Sequence, residues 1–309
     1  MVQENSLNKK ILIICGPTAS GKTDLAVQCA KLLDSEVVSA DSMYIYKQLD
    51  IGTAKPNLEE MQGVKHHLID IVSPFDSFSV SDYKKIAMPI IEDIISRGKI
   101  PVICGGTGFY INSILYDLSY GKGEANLEVR EKYKKLAEEN GNEYVYNILQ
   151  KLDIESANKL HYNDVKRVIR ALEIYESGIK KSDIVDDFKP KYDYRAYCID
   201  HERETLYQRI DKRVDIMVKS GLIDEIKGLI NNGVDKYCQC MQAIGYKEVL
   251  EYLDGQLTLE QAVDKIKLNT RHYAKRQITF FKKLNIEKLQ PNDTKLLAKK
   301  IVEGLNNDR

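Results

Sequence analysis

The sequence has no long apolar run, no C-x-x-C pair and no excess of charge of either sign. A helix that crosses a bilayer needs about 20 consecutive apolar residues, so we expect no membrane partner. The apolar stretch Ile11–Cys15 is too short for a signal-peptide core and continues into a glycine-rich loop. With 43% hydrophobic and 30% charged residues, the chain has the composition of a globular protein, which we expect in the cytoplasm.

The six cysteines show neither a metal-ligand spacing nor a disulfide framework. Cys238 and Cys240 are separated by one residue, which is not a zinc spacing. The others stand mostly among apolar neighbours. We therefore predict free thiols in a reducing compartment.

The charges balance, with 46 Lys and Arg against 46 Asp and Glu. A non-specific nucleic-acid binder is usually basic overall, so this balance argues against such a role unless basic residues share one face. The segment Lys265–Lys283 contains no acid and interleaves basic residues with Tyr273, Phe280 and Phe281. A solvated charged face over an aromatic core is the alternative, but in a neutral chain this segment favours RNA contact.

Short apolar segments that alternate with helical patterns predict an α/β fold, with a parallel sheet covered by helices on both faces. The predicted strands are Lys10–Cys15, Glu36–Ala40, Leu68–Val72, Ile100–Cys104 and Tyr194–Ile199, and the first predicted helices are Thr23–Leu33, Ser79–Arg97 and Phe109–Tyr116. From Asn126 to Gly178 only helical periodicity is present, followed by the polar stretch Lys180–Lys191. We therefore predict a core domain of residues 1–119 and 192–309 and an inserted all-helical domain of residues 120–191.

Residues 16–23, Gly-Pro-Thr-Ala-Ser-Gly-Lys-Thr, match the phosphate-loop pattern G-x-x-x-x-G-K-[ST] between a predicted strand and a predicted helix. Glycines let backbone amides turn towards phosphate oxygens, and the following helix presents its positive end. Lys22 adds a charge, and the Thr23 hydroxyl can bind Mg²⁺. The candidate phosphate-binding residues are Gly16, Thr18, Ala19, Ser20, Gly21, Lys22 and Thr23. The loop alone does not identify the phosphate, and nucleoside triphosphates are its commonest ligands.

Further sequence blocks follow this loop in order. They are Ser39–Lys47, Leu49–Pro56, His66–Asp70, Gly105–Tyr110, Arg167–Glu173, Arg209–Val214, Gln242–Tyr246 and Thr270–Gln277. Together with the phosphate loop they resemble the tRNA dimethylallyltransferase (isopentenyltransferase) family across most of the chain. Phe280 stands where the family often has Trp, and Gln48 where a small residue is common. No zinc-finger cysteines follow Lys283, as in the bacterial type of this family.

The resemblance implies transfer of a dimethylallyl group from dimethylallyl diphosphate to the exocyclic amine of an adenosine in tRNA. That adenosine is 3′-adjacent to the anticodon, so the expected partners are the anticodon stem-loop and dimethylallyl diphosphate. It further implies a P-loop NTPase-like fold with a nucleotide- or ATP-binding motif, Mg²⁺ as cofactor with Thr23 as its ligand, and a monomeric enzyme.

The resemblance assigns Asp41, Thr107 and Arg213 to catalysis. A carboxylate such as Asp41 can orient the poorly nucleophilic amine and accept its proton, and the Arg213 guanidinium can stabilise the departing diphosphate. Each residue also has an ordinary structural alternative. Asp41 and Thr107 could be helix N-caps, and Arg213 could lie on a solvated helix face.

The resemblance also implies a set of residues that contact tRNA. They are Asp41, Ser42, Met43, Tyr44, Thr107, Arg130, Lys166, Arg167, Val168, Ile169, Arg170, Gln242, Gly245, Lys275, Arg276 and Gln277. The basic members suit phosphate contacts, whereas the spacing of Ile169 and Leu172 also fits a helix that faces a core. His66 and His67 are adjacent and point apart on an extended chain, so we expect packing or local hydrogen bonds there, not metal binding.

Three other functions remain open. The first is an adenylate isopentenyltransferase that acts on free AMP, ADP or ATP, against which the segment Lys265–Lys283 and the helical insertion argue. The second is a P-loop kinase for a small metabolite, which the block Asp41–Pro56 does not support. The third is a non-catalytic RNA-binding protein that uses the loop as a nucleotide switch and would not need Asp41.

Overall fold

The computed structural model of the chain describes residues 9–118 and 126–307. Within these residues the sheet has six strands in the order β3-β2-β4-β1-β5-β6, and all its strand pairs are parallel. The strands are β1 Lys10–Cys15, β2 Val37–Ser39, β3 His66–His67, β4 Val102–Gly105, β5 Asp193–Ile199 and β6 Glu287–Leu289. The predicted parallel α/β fold is confirmed.

The helices of the described residues alternate with these strands or follow them. They are α1 Lys22–Leu32, α2 Leu58–Met61, α3 Val80–Ser96, α4 Gly108–Leu115, α5 Leu127–Asn140, α6 Asn142–Leu152, α7 Ile154–Ala157, α8 Val165–Glu176, α9 Arg203–Lys219, α10 Leu222–Asn231, α11 Tyr246–Leu253, α12 Leu259–Phe281 and α13 Thr294–Asn307. Short 3₁₀ turns occur at Lys181–Asp183 and Cys240–Gln242. The predicted helix start at Ser79 is confirmed, since Ser79 and Asp82 form a reciprocal capping box at the start of α3.

Strand β1 occupies the middle of the core. Ile11, Leu12, Ile13 and Ile14 are all buried, which requires cover on both faces of the sheet. Leu12 and Ile14 belong to a hydrophobic cluster with residues of α1 and α13. The phosphate loop therefore begins directly after a buried, continuously apolar strand.

The third strand differs from the prediction. Strand β3 is His66–His67, paired with Val37 and Val38, and the predicted strand Leu68–Val72 is wrong. Leu68 and Asp70 have φ of 64° and 56°, in the left-handed region, which an extended ladder cannot contain. The two histidines make local hydrogen bonds as expected, and His67 Nε2 lies 2.6 Å from a carboxylate oxygen of Glu36.

Strand β6 and helix α13 were not part of the prediction. Strand β6 pairs with β5 at the edge of the sheet and has three residues, two of them exposed, so it lacks the apolar run of the inner strands. The bounds of β1 are as predicted, and the other correctly predicted strands and helices begin and end within two residues of their predicted bounds, as is usual at element ends.

The chain divides into two compact units, one of residues 1–115 and 190–309 and the other of Tyr116–Lys189. In the described part of the second unit, α5, α6, α7 and α8 surround a core that includes Tyr133, Leu149 and Leu172. In the first unit, Lys191 donates its backbone N–H to the carbonyl of Leu115 at 2.8 Å. The chain therefore leaves the first unit and returns to it at neighbouring backbone positions.

Among the described residues, no helix has both the length and the apolar character needed to span a membrane. The six cysteines are all free thiols, as predicted. Burial raises the pKa of Cys29 and of Cys104 to about 12, so these thiols stay protonated at neutral pH.

Candidate active site

The phosphate loop follows β1 and leads into α1. Gly16 and Gly21 have φ of 133° and 93°, and Ala19 also lies in the left-handed region, so the loop curls back over the end of the strand. Lys22 is buried and its Nζ donates to the carbonyl of Pro17 at 3.3 Å. The Ser20 hydroxyl is buried and has no hydrogen-bond partner in the described residues. An unpartnered buried hydroxyl in such a loop suits an incoming phosphate oxygen.

Lys22 lies close enough to two of the predicted catalytic residues, Asp41 and Arg213, for their charges to alter its pKa. Burial lowers the pKa of Lys22, the negative charge of Asp41 raises it, and the positive charge of Arg213 lowers it further. The phosphate loop, the loop after β2 and helix α9 therefore converge on one place.

Asp41 lies on the loop after β2, at the carboxyl edge of the sheet. Its Oδ1 accepts the backbone N–H of Met43 at 2.9 Å, a turn within its own loop, and the next helix begins only at Leu58. The helix N-cap alternative for Asp41 is therefore wrong. No other side chain in the described residues hydrogen-bonds to this carboxylate, which leaves Oδ2 available to a ligand.

Thr107 joins the loop after β4 to the Asp41 loop. Its hydroxyl oxygen accepts the backbone N–H of Ser42 at 3.0 Å and lies 3.2 Å from the Ser42 hydroxyl. The start of α4 is bonded to the carbonyl of Thr107, not to its side chain. Thr107 therefore occupies the N-cap position of α4 through its carbonyl, and its hydroxyl instead helps to hold the segment that carries Asp41.

Arg213 extends from α9 towards the phosphate loop. Its Nη1 lies 3.4 Å from the Thr18 hydroxyl, and its Nη2 lies 3.4 Å and 3.2 Å from the carbonyls of Thr53 and Ala54. The alternative of a solvated helix face is therefore wrong.

A cavity of about 380 Å³ contains these groups. Thr18, Lys22, Asp41 and Arg213 form its polar end. Much of the remaining wall is apolar and comes from several loops and helices: Met43, Ile210, Val214, Met217, Ile244 and Ile266. Its size and mixed lining are those of a small-molecule site.

A second cavity, of about 460 Å³, adjoins the same loop. Lys22 and Arg213 line both cavities, and Arg209 and Lys212 add positive charge to the second one. Thr23, Asp24 and Glu60 also line the second cavity and offer the oxygen ligands that Mg²⁺ prefers. Both oxygens of Asp24 already accept hydrogen bonds, from Gln28 and from Thr294, so the Thr23 hydroxyl is the oxygen at the loop that best suits a Mg²⁺ ion.

Several residues predicted to contact RNA line the first cavity, namely Asp41, Ser42, Met43, Gln242, Gly245, Arg276 and Gln277. Gln277, however, is buried, its Oε1 accepts the N–H of Thr18 at 3.0 Å and its Nε2 donates to the carbonyl of Gly106 at 2.9 Å. Gln277 thus links helix α12 to the phosphate loop, and its contact with RNA stays a prediction.

Three other predicted RNA contacts are buried in hydrophobic clusters or loops. Val168 and Ile169 belong to the core of the second unit, and Tyr44 is buried with its hydroxyl on the carbonyl of Ala54 at 3.0 Å. Burial raises the pKa of Tyr44 to about 12. These three side chains therefore have a packing role in the structure, and contact of their positions with RNA stays a prediction.

Two of the four basic residues predicted in the second unit, Arg130 and Arg170, share one carboxylate. Glu173 is buried, and its two oxygens accept from Arg130 Nε at 2.9 Å and from Arg170 Nη1 at 2.5 Å. Burial acts to raise the pKa of Glu173, but the hydrogen bonds from Arg170, the Asn126 N–H and Arg130 outweigh it and lower the pKa. Lys166 and Arg167 are exposed, and Arg167 pairs with Asp164 at 3.0 Å.

Helix α12 contains most of the acid-free segment. The cations of its first half pair with acids from other helices: Lys265 with Glu251, Lys267 with Asp215 and Arg271 with Asp211. Lys275, Arg276, Lys282 and Lys283 are exposed. The cationic surface is therefore limited to the second half of the predicted segment.

Tyr273 is a cavity residue that the sequence prediction did not include in the site. Ile266, Thr270, Tyr273 and Gln277 recur every three or four residues along α12 and all line the cavity. Burial, followed by the charge of Asp41, raises the pKa of Tyr273 to about 12. The helical spacing was a signal that could have identified this face.

The chain matches the IPP transferase family over residues 44–284. It is 51% identical to the tRNA dimethylallyltransferase of Caldanaerobacter subterraneus over 286 residues, which cover 88% of this chain and 89% of that relative. A crystal structure of the tRNA isopentenylpyrophosphate transferase from Bacillus halodurans has a TM-score of 0.72 and 41% identity, and 97% of each chain is covered. A eukaryotic dimethylallyltransferase that acts on tRNA has a TM-score of 0.76 and 32% identity, over 92% of this chain and 74% of that one.

Proposed function

This chain belongs to the IPP transferase family, and on that basis we propose that it is a tRNA dimethylallyltransferase. It transfers the dimethylallyl group of dimethylallyl diphosphate to the exocyclic amine of the adenosine 3′-adjacent to the anticodon. The products are isopentenyladenosine in tRNA and free diphosphate.

The observation that carries this proposal is the lining of the first cavity. One polar end holds the phosphate-loop residue Lys22, the carboxylate of Asp41 and the guanidinium of Arg213, and the wall beside it is largely apolar. Cations suit a diphosphate, the apolar wall suits a five-carbon chain, and a carboxylate suits an amine that loses a proton.

In the proposed reaction the amine nitrogen of the adenosine attacks the first carbon of the allyl chain. The N–C bond forms while the C–O bond to the diphosphate breaks, and the electron pair leaves with the diphosphate. Lys22 and Arg213 stabilise the negative charge that develops on the leaving group. Asp41 orients the amine and accepts its proton through the oxygen that is not bonded to Met43.

Thr23, with Asp24 and Glu60 nearby, would hold Mg²⁺ beside the phosphate loop. When bound, the ion would neutralise part of the charge on the leaving diphosphate. The phosphate loop binds the diphosphate, and no hydrolysis of ATP enters the reaction.

The adenosine has to leave its base stack to reach Asp41. The exposed cations at the end of α12 and directly after it (Lys275, Arg276, Lys282 and Lys283) are the candidates in the first unit for contacts with tRNA phosphates. In the second unit the candidates are Lys166, Arg167, Arg130 and Arg170. We propose that the enzyme works as a monomer in the cytoplasm, where its tRNA substrate is found.

The test is incubation of the purified protein with Mg²⁺ and radiolabelled dimethylallyl diphosphate, in parallel with unmodified tRNA, AMP and ATP. We expect label in tRNA alone. Label in AMP or ATP would assign the chain to adenylate prenylation, and no label in any acceptor, from folded protein, would reject prenyl transfer. Loss of the label after replacement of the target adenosine by guanosine would identify the modified position.

A further inference from the structure

Glu225, in the first turn of α10, accepts an unusual number of backbone hydrogen bonds. Its Oε2 accepts the N–H groups of Asp50 at 2.8 Å and Ile51 at 2.6 Å, and its Oε1 accepts that of Gly52 at 3.0 Å. Three successive amides of one loop therefore converge on one carboxylate. Such charge-assisted bonds are about twice as strong as neutral ones.

Tyr246 contacts both the Glu225 carboxylate and the loop that this carboxylate binds. Its hydroxyl donates to Glu225 Oε1 at 2.7 Å, and its ring is fully buried. A Cβ at Gly52 would lie 2.6 Å from that ring, so the loop and the ring are in close contact. The loop is thus fixed by hydrogen bonds at its amides and by packing at Gly52.

The carbonyls that follow these amides contact a catalytic candidate. Thr53 and Ala54 come directly after Gly52, and their carbonyl oxygens lie 3.4 Å and 3.2 Å from Nη2 of Arg213. The same guanidinium reaches the phosphate loop through Thr18. Glu225 therefore connects to Arg213 through a short segment of backbone.

We propose that Glu225 is a positioning residue for Arg213. By binding the amides of residues 50–52 it presents the carbonyls of Thr53 and Ala54 at a fixed place, and these carbonyls orient the guanidinium towards the leaving diphosphate. The proposal rests on the proposed function of Arg213. It predicts that loss of Glu225 weakens stabilisation of the leaving diphosphate and does not change the binding of tRNA.

The replacement that tests this is Glu225→Gln, which keeps the size but leaves a single acceptor oxygen for three amides. A misplacement of about 1 Å in a catalytic group costs on the order of 10²-fold in rate, so we expect kcat to fall about 10- to 100-fold. The KM for tRNA should be unchanged. Asp224→Asn, on the exposed neighbour in the same helix turn, is the matched control and should behave as wild type.

A double-mutant cycle separates positioning from general stability. If Glu225 acts through Arg213, Glu225→Gln should cost less than about 3-fold when Arg213 is already alanine, because coupled residues are not additive. Equal losses in both backgrounds would overturn the proposal. Titration with inorganic diphosphate and Mg²⁺ should also show weaker binding in Glu225→Gln, a readout that does not require transfer.

Two further outcomes are informative. If Glu225→Gln fails to fold, Tyr246→Phe removes only one hydroxyl from the same carboxylate, and a smaller fall in kcat that disappears in the Arg213→Ala background would support the proposal. Unchanged kcat in Tyr246→Phe would then reject it. A wild-type protein that binds diphosphate but transfers nothing would reject the proposed function instead.

Discussion

The cations of the proposed active site in the first unit and the buried arginine pair of the second unit are held in different ways. In the first unit Arg213 contacts the carbonyls of Thr53 and Ala54, and Lys22 contacts the carbonyl of Pro17. In the second unit Arg130 and Arg170 share the carboxylate of Glu173. A neutral carbonyl group orients a cation without neutralising its positive charge. A carboxylate carries one negative charge and so neutralises one of the two positive charges of the arginine pair.

This difference corresponds to two kinds of anion. A leaving diphosphate concentrates negative charge at one point, and full positive charges close to it stabilise the transition state. An RNA backbone spreads its charge over many phosphates, and a rigid cationic surface with part of its charge cancelled can still contact it. We therefore expect changes in the first set of residues to alter the rate, and changes in the second set to alter stability and RNA affinity.

The largest effect is expected at Asp41. Asp41→Asn keeps the bond from the Met43 N–H and removes the proton acceptor, so kcat should fall by about 10²- to 10⁴-fold. The affinity for tRNA should be largely kept. Single-turnover kinetics and a tRNA-binding titration measure the two quantities, and a variant with wild-type turnover would remove Asp41 from the mechanism.

The next effect concerns Arg213. Lysine keeps the charge but cannot contact the Thr53 and Ala54 carbonyls and the phosphate loop at once, so Arg213→Lys should lower kcat about 10²- to 10³-fold. Arg203→Lys, at the exposed start of the same helix, is the control and should keep wild-type kcat. Equal kinetics for both variants would mean that charge alone matters and would weaken the contrast between the two units.

Glu173 tests the second unit. Glu173→Gln leaves two guanidiniums without their carboxylate, so we expect about 2–4 kcal/mol of destabilisation, a higher KM for tRNA and a nearly unchanged kcat. Thermal denaturation and steady-state kinetics are the measurements, with the exposed Glu139→Gln on α5 as control. A fall in kcat with unchanged KM would contradict the assignment of this unit to RNA contact.

The same residue predicts a pH dependence. Hydrogen bonds lower the pKa of Glu173 despite its burial, so its ionised form stabilises the folded state. This contribution to the free energy of unfolding is fully present above the ordinary carboxyl pKa, and it is lost as the pH falls through the lowered pKa. Wild type should therefore lose part of its stability advantage over Glu173→Gln on acidification from pH 7. A constant difference in unfolding free energy down to acidic pH would contradict this.

The smallest effect is expected at the cation that directly follows helix α12. Lys282→Ala removes an exposed cation, so tRNA binding should weaken a few-fold and the slope of log affinity against log salt should decrease by about 1. Lys265→Ala removes a cation that Glu251 already pairs, and it should leave the slope nearly unchanged. Identical slopes for both variants would show that pairing on this helix does not control contact with RNA.

The sequence could predict those parts of the site whose function depends on a short continuous stretch of residues in a fixed backbone conformation. The phosphate loop needs its glycines and Lys22 in order, and β1 needs an apolar run, so both were predicted where they occur. The parallel fold followed from the alternation of such strands with helices. Strand Leu68–Val72 was wrong because left-handed φ values at Leu68 and Asp70 depend on the loop that contains them.

What the sequence could not predict is pairing between distant elements. The acid-free stretch of α12 is half neutralised by acids on other helices, and no local pattern shows this. Gln277 resembles a polar surface residue although it is buried. Glu225 is an ordinary acid in the first turn of an amphipathic helix until the loop of residues 50–52 is placed against it.

The hydrogen bond between Lys191 and Leu115 has a consequence for how this architecture can vary. This hydrogen bond joins the two ends of the inserted segment of residues 116–189, which forms the second unit. Residues 117 and 187, within that segment, form an isolated antiparallel bridge. The entropy of closing such an excursion grows only logarithmically with its length, by about 0.6 kcal/mol for each doubling. The sheet can therefore tolerate excursions of very different size at this point, and lengthening or exchange of the helical unit need not disturb the strands that carry the phosphate loop and Asp41.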